Sequence, residues 1–237
     1  MSGKWSGFSG RSLLLKLILI VAILAVQRGA WATEGTFRAS CEKALGAGKV
    51  AVMYADSAPT YNSSYTTKSL QSRSGKNQDA HHSIYGLTHA EPFFRLEIQS
   101  RLLVSPDGQT CMVPDVSVKL GFSAMRVYLA KELQDNCKKN IVREHELEHV
   151  STWRSHFRIG ARMLEEPLRT AFSQPRHYTS EKLAQADLKP WVEDVLKPLQ
   201  HSLVNSVMTA QRAIDSPASY ERVKQRLRAC PALRHDS

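Results

Sequence analysis

The segment from Lys139 to Phe172 limits what this chain can fold into more than any other. Val142, Val150, Trp153, Phe157, Leu164 and Leu168 recur there at the spacing of one helix face. Gly160 and Pro167 are candidate breaks. A helix with such a stripe needs a sheet or further helices to cover it. On the helical wheel Glu146 falls inside the stripe, between Val142 and Val150, with His145 and His149 flanking it. Burying a carboxylate is costly unless a cation or a hydrogen-bond donor compensates. The fold must therefore bring a partner to Glu146. Glu144 and Glu148 fall off the stripe and read as solvated surface.

Upstream the pattern is that of strands. Val50 to Tyr54 reads as a short buried strand, and 57–83 as a polar loop or exposed edge strands. Phe93, Arg95, Glu97 and Gln99 alternate with Phe94, Leu96, Ile98 and Ser100, the period of a half-buried strand. The run continues through Leu102–Val104 into Ser105-Pro106-Asp107-Gly108, a turn signal. Beyond it Val116, Val118 and Leu120 alternate with Asp115, Ser117 and Lys119, and Met125 to Leu129 is either a strand or a helix entry. Downstream, Ser180 caps a helix over Glu181–Leu188, and a Pro190-led helix runs to about Arg212. Ser216-Pro217 then starts a last helix to Arg228. Strands followed by helices predict an α+β fold: a small, mainly antiparallel sheet, then the long helix and further C-terminal helices.

The first residues read as a leader. Lys4, Arg11 and Lys16 precede the apolar run Leu17–Val26, and Ala30-Trp31-Ala32 follows as a small-residue cleavage signal. The expected organisation is a signal peptide over 1–32 and one domain over 33–237, helical from about 173 onward. No later run reaches membrane-spanning length, so a soluble mature protein without a membrane span is expected. The leader holds four basic residues and no acids, which leaves 28 basic against 22 acidic residues in the rest. That excess suits an anionic envelope surface, although a plain solvated surface is the readier explanation. Nucleic acid is not an expected partner, since no nucleic-acid motif is present. Cys41, Cys111, Cys137 and Cys230 are even in number and scattered, as in a disulfide-bonded exported protein, secreted or periplasmic. The favoured pairing is Cys41–Cys111, tying the N-terminal segment to the sheet, and Cys137–Cys230, closing the helical half.

His145-Glu146-Leu147-Glu148-His149 is an H-E-x-x-H motif, with a chance expectation of about 0.02 per chain of this composition. The i, i+4 spacing places both imidazoles one turn apart on one face, as two zinc ligands require. Glu146 then stands where it can accept a proton from a metal-activated water. The competing reading is a surface helix whose Glu146 pairs with Arg143 or Arg154. No G-x-S-x-G, Walker loop or G-x-G-x-x-G is present.

A leader, strands bearing Val116, Val118 and Leu120 after a cysteine, then an H-E-x-x-H helix: this order resembles the zincin-like metallopeptidases. More narrowly, it resembles a bacterial secreted family of unknown function described as predicted zinc-dependent proteases. The resemblance spans about Ile84 to Leu168. It implies His145 and His149 as Zn2+ ligands, Glu146 as the catalytic general base, and a sheet strand between Phe93 and Leu129 that holds a peptide or protein substrate. The third ligand departs from the pattern. The metzincin form wants a histidine at position 155, which is Ser155, and a glycine at 152, which is Thr152. His156 lies about 10 Å along an unbroken helix from His149, too far to share a metal. Glu165, Glu166 and Glu181 on later helices and His81, His82 and His89 upstream remain open. The expected function is an exported zinc-dependent hydrolase, a peptidase. The alternative is a non-catalytic envelope or periplasmic interaction protein with a structural or vestigial metal site.

Overall fold

In the computed structural model, residues 35–75 and 83–231 are described. The expected leader over 1–32, His81 and His82 lie outside them. A first helix, α1, covers 35–45. It is followed by β1 (Val50–Ala55), β2 (Thr60–Asn62), α2 (Thr67–Arg73), β3 (Gly86–Val104) and β4 (Thr110–Leu129). Then come α3 (Asn136–Ala171), β5 (Arg176–Tyr178), α4 (Glu181–Ile214) and α5 (Pro217–Arg228).

β4 is the axis of the sheet. Along one edge it pairs antiparallel with β3 from Val104↔Thr110 to Gly86↔Leu129. Its other edge is shared by three short strands: β5 antiparallel at 110–112, β1 parallel at 116–121, and β2 parallel at 126–128. The sheet is thus mixed, and the expected mainly antiparallel sheet is corrected. The turn at Ser105–Gly108, where Gly108 takes a positive φ of 87°, dictates only the β3–β4 hairpin. β1 and β2 come from upstream of that hairpin and enter on the far edge of β4, in its own direction.

A bulge separates the two halves of β4. Glu91 pairs with Ala124 but Pro92 with Phe122, so Ser123 is left over. Proline has no N–H to give a ladder, and a bulge is where a strand tolerates it. The extra residue changes the phase of the strand. Val116, Val118, Leu120 and Phe122 are buried before it, and Met125, Val127 and Leu129 after it. Met125–Leu129 is therefore strand, not a helix entry.

α3 packs across β1, β3 and β4, and α4 packs on α3. Phe122 stacks with Phe157 at 4.7 Å and with Trp153 at 5.9 Å, while Phe94 meets Phe157 at 5.6 Å, so an aromatic knot joins helix to sheet. α3 breaks at neither candidate position. Gly160 is buried where α4 crosses: a Cβ there would meet the Leu203 side chain at 2.6 Å. Pro167 is exposed, as are Pro190 and Pro198, so water can hydrate the carbonyls their rings leave unbonded. The expected pair of helices over 181–212 is accordingly one continuous helix, α4, held by buried Ala184, Trp191, Val192, Leu196 and Val207. Ser180 and Ser216 cap α4 and α5, with Pro217 in the first turn of α5.

Disulfides join Cys41 to Cys111 and Cys137 to Cys230, the favoured pairing. They suit an oxidising compartment. No helix among the described residues is long and apolar enough to cross a membrane. At the surface Arg154 of α3 grips Asp56, just past β1, with Nε 2.8 Å from Oδ1. Hydrogen bonding from Arg154 holds the Asp56 carboxyl down to about 2.

Two outcomes follow. Replacing Cys137 and Cys230 by serine opens a loop spanning 93 residues and should destabilise by roughly 4–5 kcal/mol in the chain-entropy model. Urea unfolding checks this, and a loss under about 1 kcal/mol would contradict it. Asp56→Asn should cost at most about 1 kcal/mol at pH 7, since the pair is half exposed. Because the Asp56 pKa is depressed on folding, its contribution is whole above about pH 4 and fades as pH falls toward 2. The two proteins should therefore converge in stability across that window.

Candidate metal centre

The first half of α3 carries the motif. Asp135 caps it, accepting from the Lys138 N–H at 2.8 Å, and Cys137 anchors its first turn. Two turns later His145, Glu146 and His149 are all buried, with 8%, 4% and 8% of their surface exposed. Glu144 and Glu148 are exposed. Glu144 pairs with Arg226 of α5 at 2.5 Å.

Glu146 faces the start of β3. The Thr88 hydroxyl lies 2.8 Å from Glu146 Oε2 and 3.0 Å from the Glu146 carbonyl oxygen, and donates to them. Gly86 leaves room for this approach: a Cβ there would meet Glu146 Oε1 at 2.5 Å and Val142 Cγ1 at 2.7 Å. Burial pushes the Glu146 carboxyl up, against the pull of His149, Thr88 and His145. Of the two arginines of the competing reading, Arg154 is on Asp56 and Arg143 is exposed on the helix face away from the buried stripe.

The histidines face a residue that the sequence reading passed over. Asp215, the C-cap of α4, places Oδ1 3.2 Å from His149 Nε2 and 3.6 Å from His145 Nε2. Its Oδ1 also accepts from the Tyr220 hydroxyl of α5 at 2.8 Å. Burial would raise the Asp215 carboxyl, but the hydrogen bonds from His145, His149 and Tyr220 hold it far below the usual carboxylate range. His149 is buried too, which would lower its pKa. Hydrogen bonds to Asp215 and Gln211 and the nearby Glu146 outweigh this and raise it.

His145, His149 and Asp215 offer three ligand atoms within 4.8 Å of one another. Tetrahedral zinc with bonds of about 2.0–2.1 Å needs donors about 3.3 Å apart. The distances of 3.2 and 3.6 Å bracket that value, and two imidazoles with one carboxylate make a fitting donor set for a divalent metal. Two other groups, Cys41, Cys111 and His177, and Asp135, Cys137 and Cys230, have their sulfurs committed to disulfides.

The other third-ligand candidates lie elsewhere. His156 bonds the Thr152 carbonyl, Glu165 pairs with Arg169, Glu181 with Gln185, and His89 with Glu91. Glu166 is exposed. Asp215 could have been noticed as the residue before the Ser216-Pro217 helix start, but nothing in its local pattern points to the motif.

Gly86→Ala should push the Glu146 side chain off its position by removing the space above it. Overpacking of this kind costs about 1–3 kcal/mol. Thermal unfolding should register the loss, and an unchanged midpoint would show that the approach of β3 to Glu146 is not tight.

No family model, curated protein or solved structure matches the chain.

Proposed function

We propose that the protein is an exported zinc-dependent hydrolase acting on peptide bonds. The observation that carries this reading is the meeting of His145 Nε2, His149 Nε2 and Asp215 Oδ1 beside a buried Glu146. Structural helices rarely bury a carboxylate and two imidazoles together on an apolar stripe, whereas a metal centre requires it. The resemblance to zincin-like metallopeptidases supports the choice of zinc and of a peptide or protein substrate. In the gluzincin form a later acid on a second helix completes the ligand set. Here Asp215, at the end of α4, takes that place, with aspartate instead of glutamate.

Bound by these three residues, zinc would polarise a scissile carbonyl and acidify a water molecule. The chain's own residues do the rest. Glu146 takes the proton from the attacking water and passes it to the leaving nitrogen, while the hydroxyl goes to the carbonyl carbon and the C–N bond breaks. Thr88 holds Glu146 at Oε2. Tyr220 steadies Asp215 through Oδ1. The two disulfides favour action outside the reducing cytoplasm.

Metal analysis and a two-variant comparison test this. The purified protein, reconstituted and dialysed, should hold about one zinc per chain, and under about 0.2 would overturn the reading. Asp215→Ala should lose the metal. Glu146→Gln should keep zinc and fold while abolishing cleavage of an unstructured protein substrate such as casein. If Glu146→Gln and the wild type hold zinc and neither cleaves any member of a peptide library, the non-catalytic alternative is correct.

A further inference from the structure

Gln211 stands one helical turn before Asp215 on the same face of α4, and it is buried, with 8% of its surface exposed. An amide in the contact between two helices is costly unless all its polar atoms are matched. Both ends of this one are spent on a single residue. Oε1 lies 2.5 Å from His149 Nδ1, and Nε2 donates to the His149 carbonyl oxygen at 3.0 Å.

These two contacts leave no freedom in the amide. A carbonyl oxygen can only accept, so the NH2 end must face it, and the oxygen must face the ring. An oxygen at Nδ1 requires that this nitrogen carry a hydrogen. With Nδ1 committed as a donor, the other nitrogen, Nε2, is the one left to ligate. It is Nε2 that faces Asp215 Oδ1, alongside His145 Nε2.

We propose that Gln211 is a positioning residue of the metal centre. It fixes the ring plane of His149 and the nitrogen that carries the proton, so that Nε2 is presented to a divalent cation together with His145 Nε2 and Asp215 Oδ1. This rests on the reading of these three residues as ligands. One turn of α4 thereby does two jobs: Asp215 supplies a donor atom, and Gln211 aims another. Outer partners of ligating histidines are commonly carboxylates or backbone carbonyls. A neutral side-chain amide, pinned by the histidine's own backbone, orients the ring without adding a further negative charge to a site that already holds the carboxyls of Glu146 and Asp215.

Zinc affinity, measured by competition with a chromophoric chelator, separates positioning from packing. Gln211→Met keeps volume and removes both polar ends, and should weaken zinc binding by about 10–100-fold. Gln211→Glu keeps the acceptor at His149 Nδ1 but not the donor to the His149 carbonyl oxygen, and should lose clearly less zinc affinity than the methionine variant. Circular dichroism of the metal-free proteins verifies that each variant folds. A methionine variant that binds zinc as tightly as the wild type overturns the proposal, as does a glutamate variant that loses as much as methionine. Should the methionine variant not fold, the wild type supplies its own test. In the zinc-loaded protein, labelled with 15N-histidine, the His149 Nδ1 proton should exchange slowly with water, and a rapidly exchanging one overturns the proposal. Failure of the wild type to bind zinc at all refutes the metal centre itself, an outcome distinct from both.

Discussion

The rest of the structure is arranged around one expensive act, the burial of Glu146 on the apolar stripe of α3. An isolated carboxylate in such a place would pick up a proton or drag in water. The chain answers with donors and shape. β3 brings Thr88 to one oxygen and a bare Gly86 backbone past the side chain. The last turn of α4 sets Asp215 against the two histidines, and α5 sets Tyr220 against Asp215. Each of these elements is fastened elsewhere. The aromatic knot of Phe94, Phe122, Trp153 and Phe157 fixes helix to sheet, and the Gly160–Leu203 crossing fixes α4 to α3. The polar centre is thus held by apolar packing on either side of it, the arrangement that keeps side-chain geometry within narrow bounds.

Much of this was legible in the sequence, for reasons specific to each element. The burial of Glu146 was visible because a helix of this length repeats its face often enough to show which residues lie inward. The β3–β4 hairpin was visible because its turn residues and its alternation agree. The Ser180 and Ser216-Pro217 caps were visible because capping is chemistry between neighbours in the chain.

What escaped depends on contacts between distant segments. β2 and α2 lie in a polar stretch where three residues or a single buried Leu70 make too little pattern to read. The parallel entry of β1 was decided by which edge of β4 remained open, not by anything within β1. The Ser123 bulge shifts the inward phase and so disguised one long strand as two fragments. Asp215 and Gln211 lie 66 and 62 residues from His149, the partner that gives them meaning. Their local surroundings are those of an ordinary helix end. Exposed Pro167 and Pro190 showed the converse error, a local signal for a break that packing on the opposite face overrode.

The order of the three candidate donors along the chain has a consequence for how the molecule comes into being. Synthesis delivers His145 and His149 well before Asp215, and Cys230, which locks α5 to the start of α3, later still. A nascent chain that has formed its sheet and α3 owns the two imidazoles but no third donor. If the three hold a metal, such a half-site would bind it weakly and reversibly, because each missing donor removes much of the grip. The finished site therefore matures in a fixed sequence, from sheet to helix to the folding back of the chain's last third. A cation captured early would have to be held loosely until residue 215 swings into place.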